Sequence, residues 1–138
     1  MSRMIYVNLP VKDLAAATRF YEAIGCRKNE QYSDHQASSM VWSDIITFQL
    51  MVTDYFGTFT PKKLADAHAT TEVLLALSRD TREEVDTMVE TAGATGGKAD
   101  IRERQDLGWL YTRAFEDPDG HVFEAITADA GATPSAIE

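Results

Sequence analysis

Apolar and polar positions along this chain run through the same order of elements twice. Residues 3–9 form a short apolar run around Ile5, Tyr6 and Val7 that halts at Pro10, which predicts a strand. Asp13 then offers an N-cap, and Leu14, Ala17, Tyr21 and Ile24 recur at helical spacing until Gly25. Three strand-like stretches follow at residues 27–32, 37–43 and 45–53, separated by turn-forming residues 33–36 and Ser43-Asp44. The first half therefore reads βαβββ. Residues 54–71, with Gly57, Pro61 and two lysines, keep no period and predict a long connector with one helical turn at 63–67.

The pattern then restarts. Residues 72–78 predict a strand, and Asp80…Glu83 and Thr81…Glu84 are overlapping capping boxes, either of which can open a helix. Val85, Met88, Val89 and Ala92 line its apolar face, and Gly93 closes it. Strands are expected at 98–103, 110–115 and 121–127, the last two joined by a turn at Glu116-Asp117-Pro118-Asp119-Gly120. The cap-to-glycine units Asp13…Gly25 and Asp80…Gly93 stand 67 and 68 residues apart, so the chain is an internal repeat. One half alone would leave a sheet face uncovered. The expectation is an α+β fold of paired βαβββ modules forming a curled mixed sheet around a cleft. Module one takes residues 1–54, the connector 55–71 and module two 72–128 of one domain, with 129–138 as a flexible tail.

Composition narrows the function classes. A length of 138 residues suits one domain with one substantial core. Thirteen basic against 22 acidic residues give a net charge of −9, which repels phosphate backbones and anionic lipid and argues against nucleic acid or membrane partners. No apolar stretch approaches a membrane span and residues 1–6 carry no signal pattern, so a cytoplasmic location is expected. Cys26 is the single cysteine, which excludes an internal disulfide or a thiolate cluster; it reads as a small apolar residue at a strand start.

Two motifs add a resemblance. Tyr6-Val7-Asn8-Leu9-Pro10-Val11-Lys12-Asp13-Leu14, followed by Phe20-Tyr21 and Gly25, resembles the opening of glyoxalase-type sequences. Glu116-Asp117-Pro118-Asp119-Gly120-His121, with Phe123-Glu124, is similar to their last hairpin. The chain resembles the vicinal-oxygen-chelate superfamily of glyoxalases, bleomycin-resistance proteins and extradiol dioxygenases, and within it the subgroup of predicted lactoylglutathione lyases. The resemblance implies a homodimer and four inward-facing metal-ligand positions, two per half. In active members these hold a divalent ion that acts as a Lewis acid on neighbouring substrate oxygens.

Carried over, the four positions fall on Tyr6, Gln49, Leu74 and Glu124. Only Gln49 and Glu124 are good ligands, since leucine has no donor atom and a phenol with a pKa of about 10 is a poor one. Asn8 and Glu72 lie two residues from Tyr6 and Leu74, on the same strand face but displaced by roughly 6.6 Å. An oxygen-rich set of Asn8, Gln49, Glu72 and Glu124 would suit Mg or Mn more than Zn.

Glu124 lies between apolar Phe123 and Ala125, so its strand face decides between a solvated carboxylate and an inward general base. Gln49, between Phe48 and Leu50, is either a ligand or a buried, hydrogen-bonded amide. Alternation turns His121 away from Glu124, and His35 and His68 fall in turns. Trp42, Trp109 and Tyr111 are assigned to core or pocket wall, and Asp117 and Asp119 to the turn.

Two functions from different classes follow. The first is a metal-independent small-molecule-binding protein whose cleft is lined by Tyr6, Asn8, Gln49, Leu74, Tyr111 and Glu124, with Glu124 as the candidate catalytic group. The second is a lyase or isomerase of the lactoylglutathione lyase type, dependent on a divalent metal (Mg, Mn, Ni or Zn) held by Gln49 and Glu124. Leu74 at a ligand position favours the first.

Overall fold

The computed structural model describes residues 2–129. The chain divides into two compact units at Thr70–Thr71. The first contains β1 (Ile5–Val11), α1 (Leu14–Ala23), β2 (Arg27–Lys28), β3 (Ala37–Val41), β4 (Ile46–Val52) and a single turn α2 (Thr53–Phe56). The second contains β5 (Leu75–Ser78), α3 (Arg82–Ala94), β6 (Lys98–Ala99), β7 (Gln105–Asp106), β8 (Leu110–Glu116) and β9 (Val122–Ala128). The sheet orders are β1-β4-β3-β2 and β5-β9-β8-β6, with β7 pairing β8. In each, the first strand runs parallel to the last and the remaining pairs are antiparallel. The fold is α+β with two mixed sheets of matching topology.

Helix α1 is set by its ends. The Asp13 carboxylate accepts from the Ala16 N–H at 3.0 Å. At the other end the Gly25 N–H donates to Glu22 and the Cys26 N–H to Tyr21, a Schellman motif that needs the φ of +123° Gly25 adopts. Ala17, Phe20 and Tyr21 are buried against the sheet, where the Tyr21 and Phe48 rings lie 5.6 Å apart. In the second unit Thr81, rather than Asp80, is the N-cap, with a complete capping box to Glu84. Val85, Met88, Val89 and Ala92 are buried on the sheet side of α3, above the stacked rings of Phe115 and Phe123. Gly93 does not close α3, which runs to Ala94 and ends at Gly96 with a φ of +94°. A Cβ at Gly93 would stand 3.1 Å from the Ala99 Cβ, tight enough that the neighbour would have to shift.

Several expected boundaries differ. Strand β1 continues through Pro10 to Val11, because β1 pairs only with β4 and an edge strand tolerates a residue without an N–H. Residues 27–32 are not one strand: β2 ends at Lys28 and Asn29 caps a 3-10 turn over Glu30–Tyr32. The helical turn in the connector is α2, not 63–67. Residues 98–103 pair only over Lys98–Ala99, since Asp100 adopts a φ of +52° and turns the chain; β7 was not anticipated. Of the expected tail, residues 130–138 lie outside the described residues.

Burial pushes the Cys26 thiol up to about 12, so it is protonated at neutral pH and is no nucleophile. No helix among the described residues is long and apolar enough to cross a membrane.

Candidate functional site

Each sheet has one face against its helix and one turned away, and strand alternation assigns the candidate residues between them. In the first unit Ser38, Met40, Phe48 and Leu50 face α1, where the Thr18 and Ser38 hydroxyls meet at 2.7 Å. The opposite face therefore carries Tyr6, Asn8, Ser39, Thr47 and Gln49. Register sets them in two rows: Asn8–Gln49–Ser39, and Tyr6–Thr47–Val41–Arg27 one step nearer the β3–β4 turn. Three of the expected site residues, Tyr6, Asn8 and Gln49, thus share one face.

A cavity of about 610 Å³ opens on this face, with Gln49, Ser39 and Thr47 in its floor and Tyr6, Tyr32 and Arg27 around them. Asp44 and Asn29 also line it. The Gln49 Oε1 is buried and meets no hydrogen-bond donor among the described residues. Folding has therefore removed a carbonyl oxygen from water without giving it a protein partner, an arrangement that costs about 1–3 kcal/mol. The bland reading of Gln49, a satisfied structural amide, is not what the structure holds. Arg27 and Asp44 have no ion-pair partner among the described residues, and both are exposed at the rim. Ser39, Thr47, Asn29 and Arg27 were missed from the sequence; the first two share the parity of Gln49 in the paired strands and were accessible to that argument.

In the second unit Glu124 also faces away from the helix, opposite Ala76 on β5 and Ala114 on β8. Its carboxylate is not free: it is ion-paired with the Arg102 guanidinium, which also reaches Thr112 Oγ1 at 3.4 Å. Leu74 precedes β5 and is exposed, and Glu72 lies outside the strand as well, so neither sits on the strand face expected for it. Tyr111 is corrected too. It is on the α3 side of the sheet, donating its hydroxyl to Asp86 at 2.6 Å with the Arg82 guanidinium over its ring, and does not share the face of Glu124. His121 gives its backbone N–H to Asp117, whose Oδ1 also accepts from Asp119 N–H, as expected for turn residues.

The residues present do not fit a divalent ion. Within the first unit the nearest strand neighbours of Gln49, Asn8 and Ser39, are neutral, and the cavity's one carboxylate, Asp44, shares it with Arg27. Within the second the one carboxylate of the ligand set is neutralised by a guanidinium that would repel a cation. Among the described residues no group of three His, Cys, Asp or Glu side chains is placed to hold a metal ion. Glu124 as a base would first have to leave Arg102.

On the α3 side of that sheet three carboxylates share one guanidinium. Arg113, 1% exposed, donates from Nε and Nη2 to Asp100 at 3.0 and 2.6 Å, from Nη1 to Asp86 at 3.0 Å and from Nη2 to Glu90 at 3.1 Å. The hydrogen bond from Arg113 holds Asp100 below the usual carboxylate range despite burial. Burial pushes Asp86 up, but hydrogen bonds from Tyr111 and Arg113 outweigh it and the net shift is downward. Asp106 is held low by Arg82 and by the Gly108 N–H. All three titrate below the value of 3.8 they take when exposed. The unfolded chain therefore binds more protons as the pH falls through that range, and the stability these pairs supply is lost progressively from about pH 4 downward. The thermal midpoint should be flat between about pH 7 and pH 5 and fall steadily below about pH 4. A midpoint unchanged down to about pH 2.5 would contradict these pairings.

Comparison with known proteins supplies the family context. The sequence profile of the Glyoxalase/Bleomycin resistance protein/Dioxygenase superfamily matches residues 3–125. A solved structure of a hypothetical protein from S. aureus is similar at 27% identity and a TM-score of 0.78, covering 93% of this chain and 95% of that one. A glyoxalase/bleomycin resistance protein/dioxygenase family enzyme from Burkholderia phytofirmans PsJN has 20% identity and a TM-score of 0.75, over 93% of this chain and 100% of that one. The fosfomycin resistance protein FosX from Mesorhizobium loti has 19% identity and a TM-score of 0.68, over 96% and 97%. Among curated proteins, none matches the sequence.

Proposed function

The chain belongs to the Glyoxalase/Bleomycin resistance protein/Dioxygenase superfamily, and from that premise we propose that it binds a small organic molecule, without a metal ion, on the open face of its first sheet. One observation carries this reading: Gln49, whose amide oxygen is buried without a partner, lines a cavity of about 610 Å³. That volume lies within the range of small-molecule sites, and a few fixed polar groups among apolar walls are what such sites use for orientation. An unsatisfied acceptor raises the free energy of the empty protein, so a ligand that donates to it gains what folding left unmade.

The alternative, a metal-dependent lyase or isomerase, asks Gln49 and Glu124 to hold an ion, and neither has the neighbours for it. Purified protein should contain no stoichiometric Mg, Mn, Ni or Zn by elemental analysis. Adding each ion at a hundredfold excess over a specific site's dissociation constant would add about 2.7 kcal/mol of stability if that site existed. The expected result is no such rise and no change on dialysis against EDTA. One tightly held equivalent with a matching rise in thermal midpoint would overturn the metal-free reading and restore the lyase.

A further inference from the structure

Resting on that reading of the first sheet, we propose that the ligand is a small carboxylic acid that also carries an N–H or O–H donor. The donor is asked for by Gln49, a cavity-lining amide whose Oε1, inaccessible in the empty protein, accepts from nothing among the described residues and meets a ligand once the amide turns about its last side-chain bond. The acid is demanded by Arg27, which lines the same cavity and has no carboxylate or other ion-pair partner among the described residues. Arg27 stands on β2, opposite Val41, and Gln49 on β4, opposite Ser39. Two strand spacings and two residues of rise separate their Cα atoms by about 12 Å. A glutamine and an arginine extended toward each other close much of that distance, leaving room for a few bonded atoms between a donor and an acid group.

Charge narrows the class further. Asp44 lines the cavity as well, so its two unpaired ionic groups sum to zero. One guanidinium faced by one carboxylate at the same rim suits a monoanion and opposes a dianion such as a phosphate ester. The fork of the guanidinium matches a carboxylate in bidentate fashion. Ser39 and Thr47 hydroxyls lie between the two anchors on the floor and can accept from or donate to the linking atoms.

The test is a titration of the full chain, followed by backbone amide shifts, with N-acetylglycine, N-acetylglycinamide, acetate and inorganic phosphate. N-acetylglycine should perturb Ser39, Thr47 and Gln49. Its amide, acetate and phosphate should each bind at least about tenfold more weakly, because each lacks one charge-assisted or donor contact or adds a repelled charge. Arg27→Gln should cost N-acetylglycine about tenfold and leave N-acetylglycinamide within about twofold. If N-acetylglycinamide or phosphate binds at these residues as well as the acid does, or Arg27→Gln changes nothing, the acid class is overturned while the site survives. If none of the four perturbs the site but other small molecules do, the acid class is again overturned. If no small molecule does, the binding reading falls with it.

Discussion

Replacing Arg113 by methionine should destabilise the protein by about 1–3 kcal/mol. The guanidinium is 1% exposed and is the common partner of Asp86, Glu90 and Asp100, which come from α3 and from the segment after β6. Methionine fills part of the volume but removes the cation shared by three carboxylates that are 39–67% exposed, which then repel one another with solvent screening between them. It also frees Asp100, whose φ of +52° is costly for a residue with a Cβ and is offset by the bidentate bond from Arg113. Arg113→Lys should fall between, since one ammonium cannot reproduce the fork. Chemical denaturation of both variants measures this. The deficit of Arg113→Met should shrink below about pH 4, where its carboxylates protonate and the repulsion fades. A loss under about 1 kcal/mol at neutral pH would show that the cluster is solvated and contributes as a surface pair does.

Gln49→Leu should separate stability from binding, moving them in opposite directions. In the empty protein the substitution removes a buried acceptor that has no partner and puts an aliphatic group of similar size in its place. Its unfolding free energy should be unchanged or raised by about 1 kcal/mol. Any ligand that docks on this face by donating to Gln49 should lose at least about tenfold in affinity. Were the amide a structural group satisfied in the folded protein, the same change would instead cost about 1–3 kcal/mol and leave ligands unaffected. Denaturation and ligand titration on one pair of proteins distinguish the two.

What the sequence made legible was governed by local rules. Helix α1 was readable because Asp13 and Gly25 act within a few residues of themselves. Helix α3 was readable from its capping box and apolar face, although its ends fall at Thr81 and Gly96 rather than at Asp80 and Gly93. Where tertiary context decides, the reading ran past the real boundary: Pro10 looked like a stop until β1 proved to be an edge, and Asp100 looked like strand until Arg113 proved to hold it in a left-handed turn. The site was partly legible for the same reason. Period two puts Tyr6, Asn8 and Gln49 on one face once the register of β1 and β4 is given, but the sequence does not print that register. Tyr111 and Glu124 differ by the parity of β8 against β9, and a one-residue error in that pairing exchanges core for open face. Arg102 and Arg113 have no sequence signature, since what makes them consequential is the carboxylates that folding brings to them.

Binding of a small molecule to the open face of the first sheet, through Gln49 and without a metal, is the central proposal. The direct measurement is a fragment screen by backbone amide shifts on isotope-labelled full-length protein, run in EDTA on wild type and Gln49→Leu. Hits should move the Ser39, Thr47 and Gln49 resonances in the presence of chelator and lose that effect in Gln49→Leu. Hits that appear only after a divalent ion is added, or that bind Gln49→Leu as well as wild type, would contradict it.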